Sequence, residues 1–230
     1  MHILTALHRL PVIFILLATL TTPALAAPTT IDLSAEASRA APNDLVRATV
    51  FAEATGSTPG ELSKRINSLI TDALKTAKGY SNIKTQSGTT NTYPVYAKGG
   101  KIDGWRMRAD LTLESGDTSA LSELLGKLQV SLGVSGVVML PTPETRKKAE
   151  NEAMLDAITA FKSRAKLLAD ALGKPYRIKQ LSISSSGRSP VMPMMRATAS
   201  FSSAEAAPMP MEAGESQISA NVSGQIELVD

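Results

Sequence analysis

Cysteine is absent from this 230-residue chain, and its only histidines are His2 and His8. With no thiol there is no disulfide and no thiolate nucleophile or metal ligand. Beyond position 8 a Ser-His-Asp or Cys-His arrangement has no base, and histidine-based zinc or copper(II) sites have no ligands. Aromatic residues make up only 4% of the chain. A nucleic-acid surface needs a basic stripe with aromatics interleaved, and the net charge of +3 is dispersed instead. The densest basic run, Arg146-Lys147-Lys148, is followed at once by Glu150 and Glu152, so no nucleic-acid partner is expected. No apolar run reaches the ~20 residues that span a bilayer as a helix.

What is present begins with a leader. Arg9 and the amino terminus give a weakly positive start, Leu10 to Leu20 is an apolar run, and Ala24-Leu25-Ala26 supplies a small-x-small cleavage site. This pattern predicts a secretory signal peptide over residues 1–26, cleaved after Ala26, and a periplasmic mature chain over residues 27–230. No cysteine follows the leader to carry a lipid anchor. Without disulfides the mature chain must draw its stability from an ordinary hydrophobic core, which about 200 residues can supply as one large domain or two small ones.

Two period-2 runs open the mature chain. Ile31, Leu33, Ala35 and Ala37 alternate with polar residues from Thr30 to Ser38, and Val46, Ala48, Val50 and Ala52 do so from Asp44 to Ala54, with Pro42-Asn43-Asp44 as the turn between. Thr58-Pro59-x-Glu61 opens a helix whose stripe is Leu62, Ile66, Leu69, Ile70, Ala73 and Leu74, closed near Gly79. A polar strand from Ile83 to Tyr96 follows, with Pro94 marking an edge, then the turn Lys98-Gly99-Gly100-Lys101. Trp105, Met107, Ala109, Leu111 and Leu113 share one face of the next strand. Asp117 to Ser119 caps a second helix with Leu121, Leu124, Leu125 and Leu128 inward, and Val134 to Leu140 is a short apolar strand. Thr142-Pro143-Glu144 starts a helix running to Leu172 before Gly173, with the stripe Ala149, Ala153, Ala157, Ala160, Ala165, Leu168 and Leu172. Arg177 to Ser184 is a further strand, residues 185–214 read as a Pro-, Ser- and Met-rich loop, and a last strand spans 216–229.

The order β-β-α-β-β-α-β-α-β-β predicts an α+β fold in two layers: antiparallel sheets with helices packed on one face. A subdomain boundary is expected within residues 87–101. The last strand is expected to return to the sheet of the first.

Taken together, these elements resemble the SIMPL-domain family of bacterial envelope proteins. The likeness rests on the paired N-terminal strands, the Pro59-capped helix, the Gly104-Trp105-Arg106 strand start and the helix end Ala169-Asp170-Ala171-Leu172-Gly173. Leu181-Ser182-Ile183-Ser184, Pro193-Met194-Met195-Arg196-Ala197 and the final alternating strand complete it. The family includes periplasmic immunogenic proteins and a so-called oxidative stress defence protein. The resemblance implies an exported α+β protein, periplasmic or associated with the outer membrane, that forms homo-oligomers. It implies no established enzymatic activity, no cofactor and no catalytic residue to carry over.

Three chemical readings of the residues stay open beside it. Ser163-Arg164-Ala165-Lys166 matches the bare spacing of a Ser-Lys hydrolase. Asp103 with Asp110, or Glu150 with Glu152, are available as paired carboxylates, although i and i+2 do not face each other on a helix. Met192, Met194, Met195, Met209 and Met211 cluster in the loop, where thioethers suit Cu(I) or oxidative scavenging, or simply pack against a neighbouring subunit. The leading expectation is a non-enzymatic, self-associating envelope protein that supports envelope integrity or oxidative-stress tolerance.

Overall fold

The computed structural model describes residues 28–187 and 213–229. The signal peptide predicted over residues 1–26 and the five loop methionines lie outside those residues.

The chain folds as two antiparallel sheets, each with helices on one face. Strands β1 (Thr30–Pro42), β6 (Tyr176–Gly187) and β7 (Glu215–Leu228) form a sheet in the order β1-β7-β6. Strands β2 (Leu45–Gly56), β3 (Lys84–Tyr96), β4 (Ile102–Ser115) and β5 (Gly133–Leu140) form a second in the order β3-β4-β2-β5. Helices α1 (Pro59–Ala77) and α2 (Thr118–Leu128) cover one face of the four-stranded sheet, and α3 (Pro143–Leu172) covers one face of the three-stranded sheet.

Every element of the expected order is present, and the caps do what their residues foretell. Thr58 accepts from the Glu61 backbone N–H at 3.4 Å, and Pro59 occupies the first helical turn. Asp117 accepts from Ala120 N at 3.0 Å, and Thr142 from Thr145 N at 3.2 Å. Gly173 ends α3 with φ of 64°, a left-handed conformation that favours glycine. β3 is an edge strand, as Pro94 requires.

Three expectations are corrected. The two N-terminal strands do not pair with each other. β1 pairs with β7 from Thr30–Glu227 to Pro42–Glu215, while β2 pairs with β4 and β5. Pro42-Asn43-Asp44 is therefore a corner that passes the chain between sheets, not a hairpin turn. The expected boundary within 87–101 falls inside the β3–β4 hairpin. The chain changes sheets at Asn43–Asp44 and at Pro141–Thr142 instead. Finally, β6 runs on to Gly187, which trims the loop expected over 185–214 at its start, while β7 begins at Glu215, directly after its expected end.

The stripe of α3 also differs from expectation. Ala149, Ala153, Ala157, Phe161, Ala165 and Ala169 are buried, whereas Ala160 is half-buried and Leu168 and Leu172 are exposed. Contact follows one ridge of residues spaced by four, which winds around the helix. Small side chains along it bring α3 close to β1 and β7, and Phe161 fills the space over Gly224. A Cβ on Gly224 would stand 2.3 Å from the Gln180 carbonyl and 3.1 Å from Phe161 Cζ.

Candidate interaction surface

β6 is the strand of its sheet that α3 covers least: Tyr176 at its start packs against the helix core, and the residues beyond it lie open. Its register aligns Ile183 with Val222, Leu181 with Gly224 and Ile178 with Ile226. Each partner on β7 belongs to the face packed by α3, so the three apolar side chains of β6 occupy that face too. The three-residue step from Ile178 to Leu181 keeps this face because the register shifts between Ile178 and Gln180. Val222 and Ile226 are fully buried, yet Ile178 is 39%, Leu181 38% and Ile183 42% exposed. Leu168 and Leu172, in the last turns of α3, are exposed just before the chain turns into β6. Among the described residues strand β6 is also an outer strand, bonded on one side only to β7. An open backbone edge and an open apolar face thus coincide on a single strand, the combination that invites pairing with another chain.

The two uncovered sheet faces are polar. Opposite α3, a shallow hollow of about 440 Å³ is lined by Asp32, Ser34, Gln180, Ser182, Ser223 and Gln225 among others. Gln225 donates to Asp32 at 3.1 Å there, and Ser38 and Ser219 hydroxyls meet at 2.8 Å further along. Opposite α1 and α2, charges are paired across strands, Arg47 with Glu114 at 2.6 Å, and along β4, Arg108 with Asp110 at 3.0 Å. The Arg108 guanidinium lies 3.8 Å over the Phe51 ring.

The sequence candidates fall apart as catalytic groups. Ser163 is exposed on α3, and Lys166 is tied to Asp170 at 2.9 and 3.1 Å. The hydrogen bond and charge of Asp170 raise the Lys166 pKa, opposite to what a lysine base needs. Asp103 is exposed on the β3–β4 hairpin, whereas Asp110 lies seven residues along β4, bonded by Arg108 and by Thr89 at 3.1 Å. Glu150 and Glu152 flank the buried ridge of α3, and Glu152 adds its field to Arg39, which binds Asp156 at 2.5 Å. Arg146, Lys147 and Lys148 stand in the first turns of α3, the last two exposed. Trp105 packs half-buried against the core under α1 and α2, as a filler would. Among the described residues no three acidic side chains gather as a metal site.

One cluster was missed in the sequence. Asp44 accepts from Thr142 N at 2.6 Å, from the Thr142 hydroxyl at 3.2 Å and from the Thr145 hydroxyl. Burial pushes the Asp44 carboxyl up, but the hydrogen bonds from Thr145 and Thr142 prevail and hold it below the ordinary carboxylate value. Its neighbour Asn43, buried, accepts from the Ser216 hydroxyl at 2.7 Å, and its backbone N–H donates to Gly214 at 3.0 Å. The corner between sheets is thereby clamped to the starts of α3 and β7. Thr-Pro-Glu-Thr announced the helix start, but nothing local announced its long-range partner.

The model of the SIMPL family, described as "Protein of unknown function (DUF541)", matches residues 31–226. No curated protein matches the chain. Among solved structures, AtUAH in complex with glyoxylate aligns at 14% identity over 53% of this chain and 33% of that one, with a TM-score of 0.28. A putative amidohydrolase/peptidase from Burkholderia cenocepacia aligns at 11% identity over 46% of this chain and 28% of that one, with a TM-score of 0.26. This chain spans a third or less of the length of either.

Proposed function

The chain belongs to the SIMPL family of proteins of unknown function, and on that footing we propose that it is a non-enzymatic, exported envelope protein that self-associates. Its contribution to envelope integrity or oxidative-stress tolerance is then one of assembly and contact. The observation that carries this reading is β6, whose free edge and whose exposed Ile178, Leu181 and Ile183 coincide. Burying such a face is favourable at roughly 25 cal/mol per Å² of apolar surface, and an unpaired edge adds backbone hydrogen bonds to a partner strand. The composition supports the non-enzymatic part, since no imidazole or thiol occurs after His8.

The test is the mass of residues 27–230 in solution. Light scattering is expected to give a value well above the 24.2 kDa of the single full-length chain. A monodisperse monomer across the working concentration range removes the reading.

A further inference from the structure

We propose that the free end of the β3–β4 hairpin docks on the surface of an anionic lipid bilayer, with Val95, Tyr96 and Ile102 entering the interface and Lys98 and Lys101 meeting the headgroups. This rests on the reading of the chain as an exported envelope protein, but on none of the surface assigned to self-association.

The hairpin outreaches its sheet. The last pair of β2 with β4 is Gly56–Trp105, yet β3 and β4 continue together through Val95–Gly104 and Tyr96–Ile102. Beyond them a turn is closed by Ala97 N to Lys101 O at 2.9 Å and Gly100 N to Ala97 O at 3.1 Å. Gly99 and Gly100 sit there at φ of 109° and 80°, where a side chain would be strained. The result is a narrow two-stranded ribbon that projects past the third strand.

Its side chains do not suit water. Tyr96 is 61% and Ile102 53% exposed, with Val95 beside them. Only 4% of the chain is aromatic, yet Tyr93, Tyr96 and Trp105 all belong to this hairpin. Tyrosine prefers the membrane–water interface, where its ring is half-apolar and its hydroxyl stays hydrated. Lys98 and Lys101 are exposed at the tip and make no ion pair among the described residues, and the one carboxylate within the projecting segment is Asp103. The charge therefore complements an anionic headgroup layer. Shape selects a bilayer over a protein partner, because a narrow convex tip does not offer the roughly 800 Å² per side of a stable protein interface. No helix of the described residues is long and apolar enough to cross a membrane, so this contact would be peripheral.

The test is co-sedimentation of residues 27–230 with phosphatidylglycerol–phosphatidylethanolamine vesicles and with phosphatidylcholine vesicles. Wild type is expected to partition onto the anionic vesicles and to be released by salt. The double substitutions Lys98→Glu/Lys101→Glu and Tyr96→Ser/Ile102→Ser should each weaken that partitioning about tenfold while leaving the light-scattering mass unchanged. Absence of wild-type binding, or equal binding by wild type and both variants, overturns the proposal. So does a fall in mass for Tyr96→Ser/Ile102→Ser, which would make the ribbon a contact between copies. The wild-type mass, read on the same samples, judges self-association separately: a monomer that still binds vesicles sinks that reading and spares this one.

Discussion

The Asp44 carboxylate accepts the backbone N–H of Thr142 at 2.6 Å across a separation of 98 residues. It places a negative charge at the N-terminus of α3, where the helix dipole favours one, and it ties the corner of the chain to the helix that crosses the other sheet. Asp44→Ala should therefore cost about 1 kcal/mol of stability, the scale of a lost helix cap. Urea unfolding checks this, and Thr142→Ala on the same background should add less than it does alone, because both remove one interaction.

The same carboxylate makes stability depend on acidity. Its folded pKa lies below the ordinary 3.8, so near that pH the folded chain binds fewer protons than the unfolded one. Its stabilisation is complete above the unfolded value and is lost as pH falls through the folded one. The difference in urea midpoint between wild type and Asp44→Asn is expected to be constant near neutrality and to shrink below about pH 4. A difference that stays flat into acid would show that ionisation of Asp44 contributes nothing.

Which strands pair was harder to read than where they lie. The caps at Thr58, Asp117 and Thr142 and the alternation from Val46 to Ala52 are local signals, and each element stands where they put it. β1 carries the same alternation as β2, so its pattern is equally compatible with pairing to its neighbour or to β7. The choice is made by distant residues, through Ala35 with Ala220 and Val222 in one core and Asn43 with Ser216 at the corner. The exposure of Ile178, Leu181 and Ile183 was illegible for a related reason. Three apolar residues on a strand announce a buried face, and only the path of α3 over β1 and β7 leaves them open.

Gly224 is required by close approach rather than by its backbone angles. A Cβ there meets the Gln180 carbonyl at 2.3 Å, and a backbone atom cannot swing aside as a side-chain tip can. Gly224→Ala should destabilise by about 2–4 kcal/mol, as overpacking against a rigid neighbour does. Trimming Phe161 to Leu in the same chain should not restore stability, since the carbonyl clash remains. Thermal melts of the two variants decide this, and full rescue by the Phe161 change would locate the conflict at the ring instead.

The alanine ridge of α3 sets the distance between helix and sheet. Ala157 is fully buried within it, so Ala157→Leu forces the layers apart and should cost about 1–3 kcal/mol. Leu167, on the same helix but exposed, should change stability by less than about 0.5 kcal/mol when made Ala. Equal effects of the two in urea would mean that α3 does not lie on its ridge.

Self-association through β6 predicts which apolar residues matter. Leu181→Lys/Ile183→Lys places two charges on the open face without replacing a fully buried residue, and a charge buried without a partner is unfavourable. That variant should fall to monomer mass in light scattering with its melting temperature nearly unchanged. Leu155→Lys/Leu167→Lys is the matched control, because those leucines are the most exposed on α3 and lie away from its buried ridge. It should retain the wild-type mass. If the α3 pair dissociates the assembly and the β6 pair does not, the contact is made by the outer surface of the helix, and the free edge of β6 has no part in it.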